Sequence, residues 1–354
     1  MKKLLALATL FVFLFTSCNQ DESESGELNA EDASAQINAT AEQMGDDIIS
    51  LVESDGANAL LELVELLEGS ETIGARTNGK EWTKERLDLI IQYFVTGPAS
   101  KTSNEDPTSL DDIKGLYEWN PELGDFDKTE SEFFIVLFPT EGSETNNAEL
   151  KISDLQFETF TDFEDGFEDS YEVPTIIEGY LKIDEVTLVS LSFEVEWTNG
   201  GEPVKADVNL FILPFDFQLV FDDSFEASAS LLASISIDGE NITSIDVDVQ
   251  FEDNTKEEPV YLEGSVSYRA VKIAGNIDVR DIEDDANPND YINLELYYDG
   301  SKLGDIVFEL EEIEDGFQEY IAYVVYADGT SENLEEVLEP VFEEIEEIFE
   351  DFED

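Results

Sequence analysis

An α+β chain, mainly β, with its helices at the two ends is the fold class that the sequence predicts. Three observations predict it. Apolar residues recur at three- and four-residue steps as far as Gly97-Pro98; from about residue 113 the period changes to two; and the last stretch returns to helical spacing with one apolar stripe.

The helical block is expected over residues 37–98. Ile37, Ala41, Met44, Ile48, Leu51 and Val52 trace one face, and Ala59, Leu60, Leu63, Val64 and Leu67 continue it to Gly69. A third helix is expected from Glu81 to Val95, where Trp82, Leu87, Ile90, Ile91 and Phe94 share a side. Arg76, Lys80, Lys84 and Arg86 crowd the same region. Charge pairing with acids of the body is their first reading, and a site for a ligand carboxylate or sulfate the second.

Residues 99–330 are expected to form the β domain. Phe133 to Phe138 is a short apolar strand stopped by Pro139. Leu181, Ile183, Val186, Leu188 and Leu191 lead into Phe193-Val195-Trp197, alternating with Ser192, Glu194 and Glu196, before Asn199-Gly200 signals a hairpin. Val208, Leu210 and Ile212 run to Pro214, and Phe215, Phe217, Leu219 and Phe221 resume the alternation. Further strands are expected at 227–237, 242–251, 260–269, 271–280, 291–298, 303–310 and 319–326, punctuated by Asp238-Gly239, Asp299-Gly300 and Asp328-Gly329. About ten strands with short links imply an antiparallel meander, because parallel strands need long crossovers. A sheet that wide is expected to curl into a half-open barrel or to split into a sandwich.

Residues 331–354 are expected to be an acidic amphipathic helix capped by Thr330 or Ser331. Leu334, Val337, Leu338, Val341, Phe342, Ile345, Ile348, Phe349 and Phe352 form its stripe, with Pro340 as a kink. Its other face is nearly all Glu, so it is expected to dock on the sheet.

The amino terminus carries the most specific motif. Lys2 and Lys3 precede an apolar run from Leu4 to Phe15, too short for a comfortable membrane span and of the length of an export signal. Phe15-Thr16-Ser17-Cys18 resembles the lipobox of bacterial lipoproteins, with Phe15 in place of the usual Leu. The resemblance implies a signal over residues 1–17, lipid on Cys18, and a polar acidic tether over residues 18–36. Asn19-Gln20-Asp21-Glu22 is similar to the acidic export tag of Bacteroidota surface lipoproteins. That implies anchoring in the outer membrane and exposure at the cell surface.

Composition excludes several chemistries. The chain has one cysteine and no histidine, so imidazole triads, imidazole zinc sites and, with Cys18 lipidated, thiol catalysis fall away. Asp and Glu number 87 against 17 Lys and Arg, a net charge of −70. Such a surface repels phosphate backbones and anionic headgroups, so no nucleic-acid partner is expected and the membrane contact rests on the lipid. The first reading of the acidity is a solvated surface; the second is that some carboxylates form Ca²⁺ sites.

Two acidic stretches are the candidates for such sites. In Phe157 to Glu172, five aromatics interleave with Glu158, Asp162, Glu164, Asp165, Glu168 and Asp169. An EF-hand does not fit, since Phe167 stands at the sixth position from Asp162 where glycine is required. A half-buried insertion packing its aromatics on the sheet is the first reading; a looser Ca²⁺ site and an aromatic platform for sugar rings follow. Asp281, Glu283, Asp284 and Asp285, with Asp290, form the second stretch, read first as a solvated hairpin loop and second as a cation site. Asp246 and Asp248 at period two are expected on one exposed face.

No GxSxG or GxxxxGK[ST] pattern occurs. A non-enzymatic, lipid-anchored module that binds a glycan, a protein or a divalent cation is therefore the first expectation of function. An apolar-ligand carrier, resembling the half-barrel lipoprotein shuttles, is the second. A carboxylate-based glycoside hydrolase is the third.

Overall fold

A computed structural model of the chain describes residues 30–60, 110–123, 125–140, 142–164, 167–199, 201–280, 282, 286–312 and 318–339. Helix α1 is Ala30–Val52, a further helical segment covers 55–60, and α2 is Leu110–Ile113. The strands are β1 Gly115–Asn120, β2 Asp125–Thr129, β3 Phe134–Phe138, β4 Ala148–Glu164, β5 Phe167–Ile183, β6 Val186–Trp197, β7 Pro203–Ile212 and β8 Phe215–Asp222. They continue as β9 Ser228–Ile237, β10 Glu240–Phe251, β11 Pro259–Tyr268, β12 Val271–Asp278, β13 Ile292–Tyr298, β14 Ser301–Glu312, β15 Gln318–Tyr326 and β16 Ser331–Asn333. All 16 belong to one open sheet in the order β16 back to β3, then β1, then β2.

The meander is therefore longer than the sequence reading and carries one exception. β1 pairs β2 antiparallel and β3 parallel, so the chain steps across β1 between β2 and β3. Both edges are short: β2 carries Asp125, Asp127 and Lys128, and β16 has three residues. Short, charged edges discourage pairing with other chains.

Contacts divide the chain into two compact units, Leu51–Phe221 and Met1–Ser50 with Asp222–Asp354. In the Leu51–Phe221 unit, register aligns Gly115, Phe134, Ile152, Gly179, Leu191 and Leu210 across six strands. Directly opposed residues share a face, and this one is dry: Phe134 and Ile152 are fully buried in a cluster with Tyr117, Leu181 and Phe193. The segment 55–60 packs on the same cluster through Ala59. Ser54 caps it, its Oγ accepting from the Ala57 N–H at 3.1 Å. Only glycine fits at position 56, since a Cβ there would lie 2.8 Å from the Leu188 carbonyl oxygen.

In the Met1–Ser50 and Asp222–Asp354 unit, Ile245, Val266, Ile273, Leu296, Gly304 and Tyr326 form a comparable row. Ile37 of α1, and Leu334, Val337 and Leu338 after β16, are buried with it. The α1 contact is pinned by charge. Arg269 donates from Nε and a terminal nitrogen to the two Asp47 carboxylate oxygens at 2.8 and 2.6 Å, and the Tyr268 hydroxyl donates to Asp47 at 2.7 Å. Such a bidentate pair is stronger than a neutral hydrogen bond. Arg269 itself is in a left-handed conformation, φ 47°, at the β11–β12 turn.

Several boundaries depart from the sequence reading. Helix α1 starts at Ala30, inside the stretch assigned to the tether, because AEDASAQ is alanine-rich and as able to form helix as coil. The run from Leu181 to Trp197 is two strands, since Asp184 and Glu185 turn the chain at φ 51° and 66° without a glycine. Residues Ser331–Asn333 extend the sheet instead of opening the last helix, because they pair with Tyr323 to Val325. Asn333 is the cap, accepting from the Glu335 N–H at 2.8 Å, and helix covers 334–339. The expected helix over 81–95, the basic cluster from Arg76 to Arg86, the stripe beyond residue 339, and Cys18 lie outside the described residues. Among the described residues no helix is long and apolar enough to cross a membrane.

Candidate functional site

The wet face of the Leu51–Phe221 unit carries a trough that register alone creates. Tyr180 of β5, Ser190 of β6 and Phe211 of β7 are directly opposed. The next row on this face is Glu178, Ser192 and Asn209. A strand of serines therefore forms a floor between two walls of larger side chains. Neighbouring strands lie about 4.8 Å apart, which sets the walls about 10 Å from each other at the backbone. The resulting groove has a volume of about 330 Å³, and Ser153 and Asp216 complete its lining. That is at the small end of the range for small-molecule sites, about 300 to 1,000 Å³.

Tyr180 is held in place from outside the trough. Its hydroxyl donates to Glu149 at 2.6 Å, and the Lys182 ammonium stands 4.0 Å from the ring centroid. Burial, reinforced by the hydrogen bond to Glu149, pushes the Tyr180 phenol up to about 12. Burial, together with the Glu295 hydrogen bond, does the same for Tyr297 in the other unit. A phenol raised in the folded state contributes stability that is complete below its ordinary value of 10.0 and is lost as pH climbs towards about 12. We expect alkaline unfolding in that window, with each phenol contributing on the order of 1 kcal/mol after solvent screening. Tyr180→Phe is expected to remove its share, read as a shallower fall in stability by circular dichroism between those pH values. A variant with an unchanged alkaline profile would show that the phenol does not couple to folding.

The other unit carries a second groove, of about 360 Å³, on the exposed side of β10 to β13. Asp246, Asp248, Glu263 and Glu295 line it with one base, Lys272, and no aromatic ring. Asp246 and Asp248 are both exposed, as their period-two spacing predicts. Nearby, Lys302 bridges Glu295 and Asp305 at 2.6 and 2.7 Å.

The sequence candidates for Ca²⁺ are placed only in part. The Phe157 to Glu172 stretch is no insertion: it forms the far ends of β4 and β5, 17 residues each, joined at 165–166. The phenylalanines at 157, 160 and 163 recur every third residue, which hides the two-residue period of a strand. Backbone register sets Asp162 opposite Asp169, Phe163 opposite Glu168, and Glu164 opposite Phe167, while Asp165 lies outside the described residues. Asp281, Glu283, Asp284 and Asp285 also lie outside them. The described end of that loop is stapled to β14: Asn289 accepts from the Phe308 N–H and donates to the Phe308 carbonyl, both at 2.7 Å. Among the described residues, no three carboxylate, histidine or cysteine side chains are gathered as a metal would require.

Sequence reasoning missed the trough. Its signal was present in Ser190 and Ser192, two small residues on the wet side of an otherwise Glu-bearing strand. Which side chains flank them depends on register, and register is not written in one strand.

No protein-family model, no curated protein and no solved structure matches this chain.

Proposed function

We propose that this chain is an exported, lipid-anchored binding module that takes its ligand on the wet face of its sheet without transforming it. The observation that carries this reading is the trough along β6, which combines rings, hydroxyls, an amide and two carboxylates on one face of the sheet. Ligand sites of this kind pair apolar contact with a few placed polar groups. With no histidine in the chain, neither Ser190 nor Ser192 has an imidazole to activate it. The lipobox-like Phe15-Thr16-Ser17-Cys18 supplies the anchor, and the acidic residues after it favour the outer membrane's outer face.

The apolar-carrier alternative has less support. Both dry faces are filled by the chain's own side chains, with Phe134, Ile152 and Leu296 fully buried. The sheet's curl into a half-barrel is not needed for a site on its open face.

Two readouts on the full chain test the proposal. Fatty-acid labelling followed by cell fractionation is expected to mark wild type and to lose both label and membrane association in Cys18→Ala. Incubation in detergent with arrayed glycans and proteins is expected to show retention with the ligand recovered intact. Labelling that survives Cys18→Ala, or cleavage of a retained glycan, would overturn the corresponding half.

A further inference from the structure

We infer that the β6 trough is a subsite for an uncharged glycan, one sugar ring lying on the serine floor between Tyr180 and Phe211. This rests on the binding-module reading and names its ligand class. A pyranose has apolar C–H faces and hydroxyl-bearing edges. The trough offers the complement of each: aromatic residues on both flanking strands, their backbones about 10 Å apart, and hydrogen-bonding groups in the adjoining row at Glu178, Ser192 and Asn209. The floor is made of the smallest hydroxyl side chain, so a ring can approach the backbone closely.

Charge sets the remaining specificity. Glu178 is exposed at the rim, and no Lys or Arg lines the groove. Lys182 and Lys151 stand 4.0 and 6.0 Å from the Tyr180 ring centroid without lining the groove, and Lys151 also lies over Phe133 at 3.9 Å. A uronate or sulfated sugar would therefore meet the Glu178 and Asp216 carboxylates inside the groove, on a chain of net charge −70. The acidic groove of the other unit has no ring to stack a sugar and makes a natural control.

The test is isothermal titration of the full chain in detergent with laminarihexaose, xylohexaose, mannohexaose and oligogalacturonate. Binding of at least one neutral oligomer is expected, weakened roughly tenfold or more by Phe211→Ala, the loss of one stacked ring plus its buried area. Ser192→Trp is the second variant: Ser192 is exposed, so the indole fills the floor without touching the core. It is expected to abolish binding, while Ser265→Trp in the control groove leaves binding unchanged. Binding that survives both Phe211→Ala and Ser192→Trp overturns the assignment to this trough. Equal binding of oligogalacturonate overturns the charge selectivity. Silence towards all neutral oligomers at millimolar concentration overturns the glycan class; the module reading itself fails only if the protein array is also blank.

Discussion

Moving the protein from 10 mM to 1 M NaCl raises its melting temperature by roughly 2 to 6 °C, because salt shortens the screening length from about 30 Å to about 3 Å. The expectation has a local origin beyond the net charge of −70. Register sets acid directly against acid at Glu118 and Asp127, Asp154 and Glu178, Glu194 and Asp207, Asp248 and Glu263, and Glu311 and Glu319. Like charges directly opposite destabilise a sheet, by something on the order of 0.5 kcal/mol each. Three such pairs in the Leu51–Phe221 unit amount to about 1.5 kcal/mol and two in the other to about 1 kcal/mol, and 1 kcal/mol moves the midpoint of a unit this size by about 2 to 4 °C. The check is a thermal melt across NaCl concentrations, repeated with CaCl₂ at matched ionic strength. A flat melting temperature would show that the repulsion does not reach the folded state's stability. A gain specific to Ca²⁺ would turn the acidic stretches around Asp162–Asp169 and Asp281–Asp285 into binding sites.

Those opposed acids also show where sequence reasoning runs out. Strand positions in the second half were legible, because alternation and turn chemistry agree. The expected 227–237 and 291–298 became Ser228–Ile237 and Ile292–Tyr298, and Asp238-Gly239 turns at φ 52° and 82° as a hairpin demands. Where turn chemistry was silent, the strands merged: Asp184-Glu185 has no glycine, and the turn leaves in the alternation a three-residue step from Ile183 to Val186. The parallel step from β2 to β3 was illegible for a different reason. Strand order depends on which edge a new strand joins, and the hydrophobic pattern is the same for either edge.

The site was less legible than the fold, for the same physical cause. A groove on a sheet is a property of three neighbouring strands. Tyr180, Ser190 and Phe211 lie on three consecutive strands and meet only through two registers, one of them carrying a bulge between Leu181 and Lys182. The acidic stretches drew attention instead because their carboxylates are contiguous in sequence. In a chain with 87 acids, contiguity carries little information about what gathers in space.

Replacing Phe134 with alanine costs about 4 kcal/mol, a large share of the 5 to 15 kcal/mol that a typical domain has. Phe134 is fully buried on β3, between β1 and β4. Its opposed neighbour on β1 is Gly115, which has no side chain to move into the space. On the other side Ile152 is itself fully buried, and the nearest ring, Tyr117, sits 5.4 Å away at 52°. Tyr117 cannot swing in, since its hydroxyl donates to the Ile113 carbonyl at 3.2 Å and burial already holds its phenol well above the usual range. The cavity therefore stays open, which is the condition for the full cost. The matching control is Phe225→Ala: that ring is 60% exposed, and its loss is expected to cost under about 0.5 kcal/mol. Hydrogen exchange on β1, β3 and β4 separates local opening from global unfolding. If Phe134→Ala protects those amides as well as Phe225→Ala does, the dry face is not what holds this unit together. If it costs as expected, the dry face dominates this unit's stability, and the wet face opposite, where Tyr180 adds only its share on the order of 1 kcal/mol, is left to carry Ser190, Phe211 and Tyr180 for binding.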